Sequence, residues 1–229
     1  MKRLIFLLLA LPLAGFAQDC KNFFYLTNNA QVEMTMYDKK GKTSGVTTWK
    51  ISNVKKTGSG YESTINTNMK DEKGRDLASG TGSYRCENGV LKADARMALP
   101  QQNANTYNTD AKLESAYIEY PSNMTTGQSL KDVDFKMDVQ SNGMSSTVSF
   151  KETNRKVTVK ESITTPAGTW DAYVITYDGF FRTQIAGIGI PITLSGKEWF
   201  VPGFGLVKTE SYNKGGKLMG STLITSFKK

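Results

Sequence analysis

Apolar and polar residues alternate along most of this chain with a period of two, the pattern of strands that bury one face. From Gln31 to Tyr37, Val32, Met34 and Met36 alternate with Glu33, Thr35 and Tyr37. Asp38-Lys39-Lys40-Gly41-Lys42 reads as a turn, and Thr43 to Val54, with Trp49 and Ile51, as a second strand. Lys55 to Gly60 turns again before a third strand with Tyr61, Ile65 and Met69 on one face. Asp71-Glu72-Lys73-Gly74-Arg75 repeats the first turn's chemistry: Asp bonds its own backbone and Gly takes positive φ. Asn88-Gly89 is a hairpin signal joining a strand that ends near Cys86 to Val90–Leu99.

Beyond residue 116 the alternation returns. Ala116, Ile118 and Tyr120 share a face, and Val133, Phe135, Met137 and Val139 form the cleanest run in the chain. Ser141-Asn142-Gly143 turns into Val148 and Phe150, then Val157 and Val159. Thr165-Pro166-Ala167-Gly168 turns into Thr169–Tyr177, and the last hairpin pivots on Lys214-Gly215-Gly216-Lys217. No segment carries a helical stripe. The prediction is an all-β antiparallel meander of about a dozen strands, forming a curved sheet or an open or closed barrel, because such short connections cannot make parallel crossovers.

Two segments break the pattern. Pro100 to Asp110, rich in Gln and Asn, reads as a loop where two halves of one β-rich domain (residues 18–229) could meet, though pairing across it is equally open. The segment Gly179 to Ile192 is apolar, glycine-interrupted and neither cleanly alternating nor helical. It is either a buried central strand with bulges at glycine or a flap over an apolar cavity.

The first 17 residues change the picture by fixing an address. Lys2 and Arg3 precede an apolar run from Leu4 to Leu13, and Gly15-Phe16-Ala17 offers small residues for cleavage. The run is too short to span a bilayer, which takes about 20 apolar residues. It reads as a signal peptide removed near Ala17, sending the protein to the bacterial periplasm or outside, with no transmembrane segment in the mature chain. Cys20 raises lipidation, but Asp19 stands where lipoprotein processing needs a small residue. Lys2 and Arg3 leave with the signal, so the formal charge of +8 falls to +6. Lysines gather at predicted turns, which fits solvated hairpin tips or a patch for anionic lipid or polysaccharide. Nucleic acid is not an expected partner, for lack of a binding motif.

The chain has no histidine. Triads that shuttle protons through imidazole are excluded, and so are the usual zinc and copper ligand sets. Two cysteines cannot make a four-thiolate site, and in an oxidising compartment Cys20 and Cys86 are expected to form a disulfide. No metal and no cofactor are expected. Carboxylate pairs are the remaining catalytic equipment: Glu114 with Glu119, Asp132 with Asp134, Glu198 with Glu210. Asp132, Asp134 and Asp138 fit a solvated strand face. Glu198, followed by Trp199-Phe200, could be perturbed beside an aromatic pocket, although a salt bridge with Lys197 or Lys208 is the simpler expectation. The chain is therefore read as a non-enzyme, with a carboxylate-pair hydrolase a lesser alternative.

Thr165-Pro166-Ala167-Gly168-Thr169-Trp170, and later Glu198-Trp199-Phe200-Val201-Pro202-Gly203-Phe204-Gly205-Leu206-Val207-Lys208, carry a resemblance. They are similar to the TapB-like family of exported bacterial β-proteins, related to a wider periplasmic domain family; Tyr120 to Leu130 also looks like that family. The resemblance implies an antiparallel sheet curling into an open or closed barrel and supplies no catalytic residues. Val201 to Gly205 would make a sharp corner, with Trp170 and Trp199 as large inward residues. Two functions follow as expectations. One is binding of an apolar or amphipathic ligand such as a lipid, lined by Phe180, Phe181, Ile188, Ile190, Trp170 and Trp199. The other is a structural or interaction module docking on an envelope protein or glycan through hairpin tips or sheet edges. A cavity lined by Phe180, Ile188, Ile190 and Trp199 would favour the first, and a barrel filled by its own side chains the second.

Overall fold

The computed structural model describes residue 20 and residues 23–98, 117–141, 144–185 and 188–229. The signal segment, the loop at 100–110, Glu114, Asn142 and Gly143 lie outside the described residues. Twelve strands form one antiparallel sheet, nearly closed into a barrel. They are β1 (Gln31–Asp38), β2 (Thr43–Thr57), β3 (Gly60–Asp71), β4 (Asp76–Glu87), β5 (Val90–Asp94) and β6 (Tyr117–Pro121), then β7 (Val133–Ser141), β8 (Met144–Thr165), β9 (Gly168–Ile185), β10 (Ile188–Val201), β11 (Gly205–Tyr212) and β12 (Leu218–Lys228).

The sheet order is β6-β5-β4-β3-β2-β1-β12-β11-β10-β9-β8-β7. The two ends of the meander therefore meet in the middle, where β1 pairs with β12 from Gln31–Lys228 to Asp38–Gly220. The outer strands, β6 and β7, are consecutive in sequence and do not pair with each other. The strands flanking the 100–110 segment do: Val90 to Asp94 of β5 runs antiparallel to Pro121 to Tyr117 of β6.

Two predicted elements differ. Val90–Leu99 is not a strand throughout, because β5 ends at Asp94 and a 3-10 turn covers Ala95–Ala98. Gly179 to Ile192 is neither a single central strand nor a flap. Its described residues, 179–185 and 188–192, belong to β9 and β10, which pair without register shift from Ile188–Ile185 to Phe200–Tyr173. The glycines there make room rather than bulges: a Cβ on Gly189 would lie 2.5 Å from the Thr183 carbonyl oxygen.

Strands of an antiparallel meander turn alternately at two ends, which sets the layout. One end is plugged. A 3-10 turn, Phe24–Leu26, drives Tyr25 into the barrel, where its ring stacks on Tyr84 at 4.6 Å and its carbonyl accepts the Ser63 hydroxyl at 2.6 Å. Phe204, Trp170 and Phe227 pack around Phe24 and each other at 4.6 to 5.5 Å. Fully burying a ring such as that of Phe24 or Phe204 contributes about 1.5–3 kcal/mol. The Cys20–Cys86 disulfide ties this N-terminal plug to the end of β4. The β1–β2, β3–β4 and β11–β12 connections lie at the other end, as do the facing ends of β7 and β8 and of β9 and β10.

Candidate functional site

The barrel interior holds an ion cluster that alternation along one strand brings in and a bulge completes. In β8, Val148, Phe150 and Glu152 point inward opposite Met137, Phe135 and Val133 of β7. The register then shifts between Thr153 and Lys156, with Asn154 at φ 56°, a conformation asparagine tolerates better than most residues. The extra residue turns Arg155 inward as well. Arg155 is the largest fully buried side chain among the described residues.

Arg155 Nη1 donates to the carbonyls of Glu119 (3.2 Å) and Lys131 (3.0 Å), and its Nε lies 3.2 Å from Glu152 Oε2. Its Nη2 is 3.7 Å from Glu198 Oε2, too long for a hydrogen bond, so that contact is ionic. The guanidinium lies 5.2 Å from the Tyr120 ring, which stacks on Phe200 at 4.7 Å. The Tyr120 hydroxyl donates to both Glu198 oxygens at 3.1 Å. Two carboxyls thus share one guanidinium out of water. Burial pushes Glu152 up to about 8, and the Glu198 charge adds to the rise while Arg155 opposes it. Burial also raises Glu198, against Arg155 and Tyr120. Tyr120 and Tyr177, buried beside the same charges, are held well above the ordinary tyrosine range.

Glu198 therefore bridges neither Lys197 nor Lys208. It sits inward, whereas Lys208 pairs with Glu210 at 2.7 Å. The perturbed aromatic setting expected for Glu198 is present, but at the bottom of a closed core rather than in a cleft. Glu198 and Glu210 are not a pair, and Asp134 is exposed and bonded to Lys151 at 2.6 Å, as a solvated face requires. Among the described residues no group of three or more His, Cys, Asp or Glu could hold a metal ion. Arg155 went unnoticed in sequence, yet a signal exists. Inward apolar positions are even at Val148 and Phe150 and odd at Val157, and a parity change within one strand demands an inserted residue.

The six residues expected to line a ligand site do not converge. Trp170 belongs to the plug, its indole donating to Thr165 Oγ1 at 3.1 Å. Trp199, buried on the face opposite Glu198 and Phe200, donates to Glu161 at 2.7 Å and lies under Lys208 Nζ at 4.3 Å. Phe181 packs inward between Phe150 and Ile192, its register partners. Its neighbour Phe180 faces the other way, into an outer groove of about 650 Å³ shared with Thr193, Leu194, Ser195 and Lys214. Ile188 is 81% exposed. Ile190 keeps its place opposite Thr183, and its side chain lies outside the described residues.

The turn end has a character of its own. Asp38, Asp71 and Asn213 each accept two backbone N–H groups of their turn through Oδ1, at 2.8 to 3.0 Å. Gly41, Gly74 and Gly216 take φ near +75° in the same turns. These rigid tips present Lys39, Lys40, Lys42, Lys73, Arg75, Lys214 and Lys217 to solvent.

A nearly closed barrel with a packed, ion-paired interior defines a class of β-protein rather than a chemistry. The fold is that of a protein from Bacteroides fragilis described as exported, with a YmcC-like fold: TM-score 0.71, 22% identity, 89% of this chain and 97% of that one. A Parabacteroides distasonis protein described as a lipoprotein matches with TM-score 0.70 and 24% identity over 90% of this chain and 98% of that one. The chain belongs to the DUF3108-like family, whose model matches residues 27–224. That is the wider family behind the resemblance; the narrower TapB-like membership is not what the match shows. No curated protein matches the chain. Neither the family nor the two structures indicates an enzyme. No helix among the described residues is long and apolar enough to cross a membrane.

Proposed function

We propose that this is a non-enzymatic protein of the bacterial envelope, released by cleavage near Ala17, that works as an interaction module through its turn end. A filled interior carries the reading. Arg155, Tyr25, Tyr120, Phe200, Ile51 and Ile65 occupy the space where a carrier would keep a cavity. The barrel then serves as a scaffold holding hairpin tips at fixed spacing. The narrower TapB-like likeness belongs to the same proposal.

A photo-crosslinking residue at Lys40 or Ile188, compared with one at Ala167 on the plugged end, tests it in intact cells. Adducts, whether lipid or protein, are expected from the first two positions and not from the third. Equal labelling from Ala167, or none from the tips, overturns it. A second reading rests on the outer groove at Phe180, where an acyl chain could lie with its carboxylate near Lys214. Displacement of a fluorescent fatty acid that is lost in Phe180→Asp would support it.

A further inference from the structure

Charge and exposed apolar surface collect at the same end of the barrel. The three rigid tips, Asp38–Lys42, Asp71–Arg75 and Asn213–Lys217, carry seven basic side chains against three acidic ones. Two of those acids, Asp38 and Asp71, are spent on their own turns. At the opposite end, the connections at 57–60, 87–90, 122–132, 165–168 and 201–205 hold only Lys131 against Glu87 and Asp132, and the basic residues beside them are Lys55, paired with Glu62, Lys56, Lys228 and Lys229, the last over the Phe24 ring. Apolar exposure is divided the same way. Six large hydrophobic side chains stand exposed among the described residues. Four of them, Leu77, Ile188, Ile192 and Met219, lie toward the basic end: Leu77 two residues from Arg75, Met219 two from Lys217, and both isoleucines on the β9–β10 hairpin.

That hairpin reaches beyond its β11 neighbour. β10 pairs with β11 only from Ser195 onward, so Ile188 to Leu194 has no strand on its β11 side, while β9 on its other side is paired in turn to β8 as far as Ser146–Ile185. At about 3.3 Å per residue the overhang is roughly 20 Å long. Ile188 and Ile192 share one face of it, and Ile188 is 81% exposed. A lone exposed isoleucine would need no explanation, but one at the tip of a hairpin that overhangs a basic turn does.

We infer that this end docks on an anionic lipid surface, the β9–β10 tip entering the headgroup–acyl boundary while the lysines meet the headgroups. The inference rests on the turn end being the working end, and it names the partner. Three features favour a membrane over an acidic protein. The charges are mostly lysines, compact point charges on flexible stems, rather than arginine forks set for bidentate contacts. Lys39, Lys40, Lys73, Lys214 and Lys217 have no ion pair among the described residues, so no acidic side chain holds them in place. They also share a rim with an apolar tip, next to the Asn213–Lys217 turn, the combination that binds interfaces by joining shallow insertion to electrostatic attraction.

The test is co-sedimentation of the purified mature protein with vesicles of phosphatidylcholine alone and of phosphatidylcholine mixed with phosphatidylglycerol. Binding is expected to the mixed vesicles, to weaken with added salt, and to be near background on phosphatidylcholine alone. Lys39→Gln, Lys40→Gln and Lys42→Gln together should weaken it on the order of 100-fold, at about 1 kcal/mol for each lysine near the surface. Ile188→Ser should weaken binding on mixed vesicles while leaving the thermal melt nearly unchanged, since that side chain is already 81% exposed. Equal partition onto both vesicle types, or no binding to the mixed ones at low salt, overturns the inference. Crosslinks from Ile188 to a protein in cells, with no vesicle binding, would sink the lipid surface while leaving the docking reading standing.

Discussion

Arg155 shows how much one side chain can organise. Its guanidinium satisfies two backbone carbonyls, Glu119 and Lys131, that belong to strands or connections with no ladder between them, and it faces two carboxyls. Removing one partner from a buried ion cluster costs about 3–5 kcal/mol, because the charge left behind is uncompensated. Arg155→Met should therefore destabilise the protein by about that much in urea titrations, and Glu152→Gln far less. The second expectation follows from protonation. The Glu152 carboxyl is held at about 8 by burial and by Glu198, against an ordinary value of 4.5. Between those values the unfolded chain has released a proton that the folded chain still binds, so stability falls as pH rises through that window. This is the reverse of a surface carboxylate such as Asp38, whose hydrogen bonds from the backbone of Lys42 and Lys40 lower its pKa. Melting should be higher near pH 5 than near pH 8, and Glu152→Gln should shrink the difference. Glu198, also raised, keeps part of it; an unchanged slope in the variant would count against the Glu152 assignment.

At the scale of elements, the corner between β10 and β11 is the clearest case of sequence dictating geometry. Gly203 and Gly205 take φ of 77° and 135°, and a Cβ on Gly205 would stand 2.1 Å from the Tyr25 ring. Gly216 also has positive φ, 72°, but nothing within 4 Å of its absent Cβ. Gly205→Val must displace the plug as well as strain the backbone and should cost more than about 1 kcal/mol, clearly more than Gly216→Val. Matched thermal melts decide it, and equal losses would mean that Tyr25 yields freely. The disulfide belongs to the same plug. It closes 66 residues of chain, and opening it with Cys20→Ser and Cys86→Ser should cost about 4 kcal/mol in the chain-entropy model. Because the Cys20 sulfur is bonded to Cys86, it is not free to carry a thioether lipid. Strand alternation, the Asx turns and the glycine corner were legible because each is a local rule written in adjacent residues. The β9–β10 hairpin was not, since Gly179 to Ile192 has apolar residues on both sides of its tip and no Asn-Gly or Asp-Gly to mark a turn. The lining expected of Trp170, Trp199 and Phe180 fared no better. Which face a large aromatic takes depends on register, and register here is set by bulges such as the one between Trp199 and Phe200.

For the molecule as a whole, the order of the sheet leaves one weak line. Every neighbouring pair of strands from β6 round to β7 is joined by a ladder, including the β1–β12 pair that joins the two ends of the meander. Between β6 and β7 the closure is made by side chains and a loop. Arg155 bonds the carbonyls of Glu119 and Lys131, Lys131 Nζ meets Glu119 Oε1 at 2.9 Å, and Leu130 N–H donates to the Arg155 carbonyl at 2.8 Å. Val157 N–H reaches Gln128 in the same way, so the β6–β7 connection leans on the bulge that carries Arg155. A seam held by one guanidinium and a few loop bonds should open at lower free energy than ladders that must be broken over eight residues, as in β1. Native-state hydrogen exchange tests this. Amides of β5, β6 and β7 should exchange before those of β1, β2 and β12 in the wild type. Arg155→Lys, which keeps the charge but loses the forked reach to two carbonyls, should speed β6 and β7 further while leaving β1 and β12 nearly unchanged. Uniform acceleration across all twelve strands would show that Arg155 supports the core as a whole and is not the clasp of the seam.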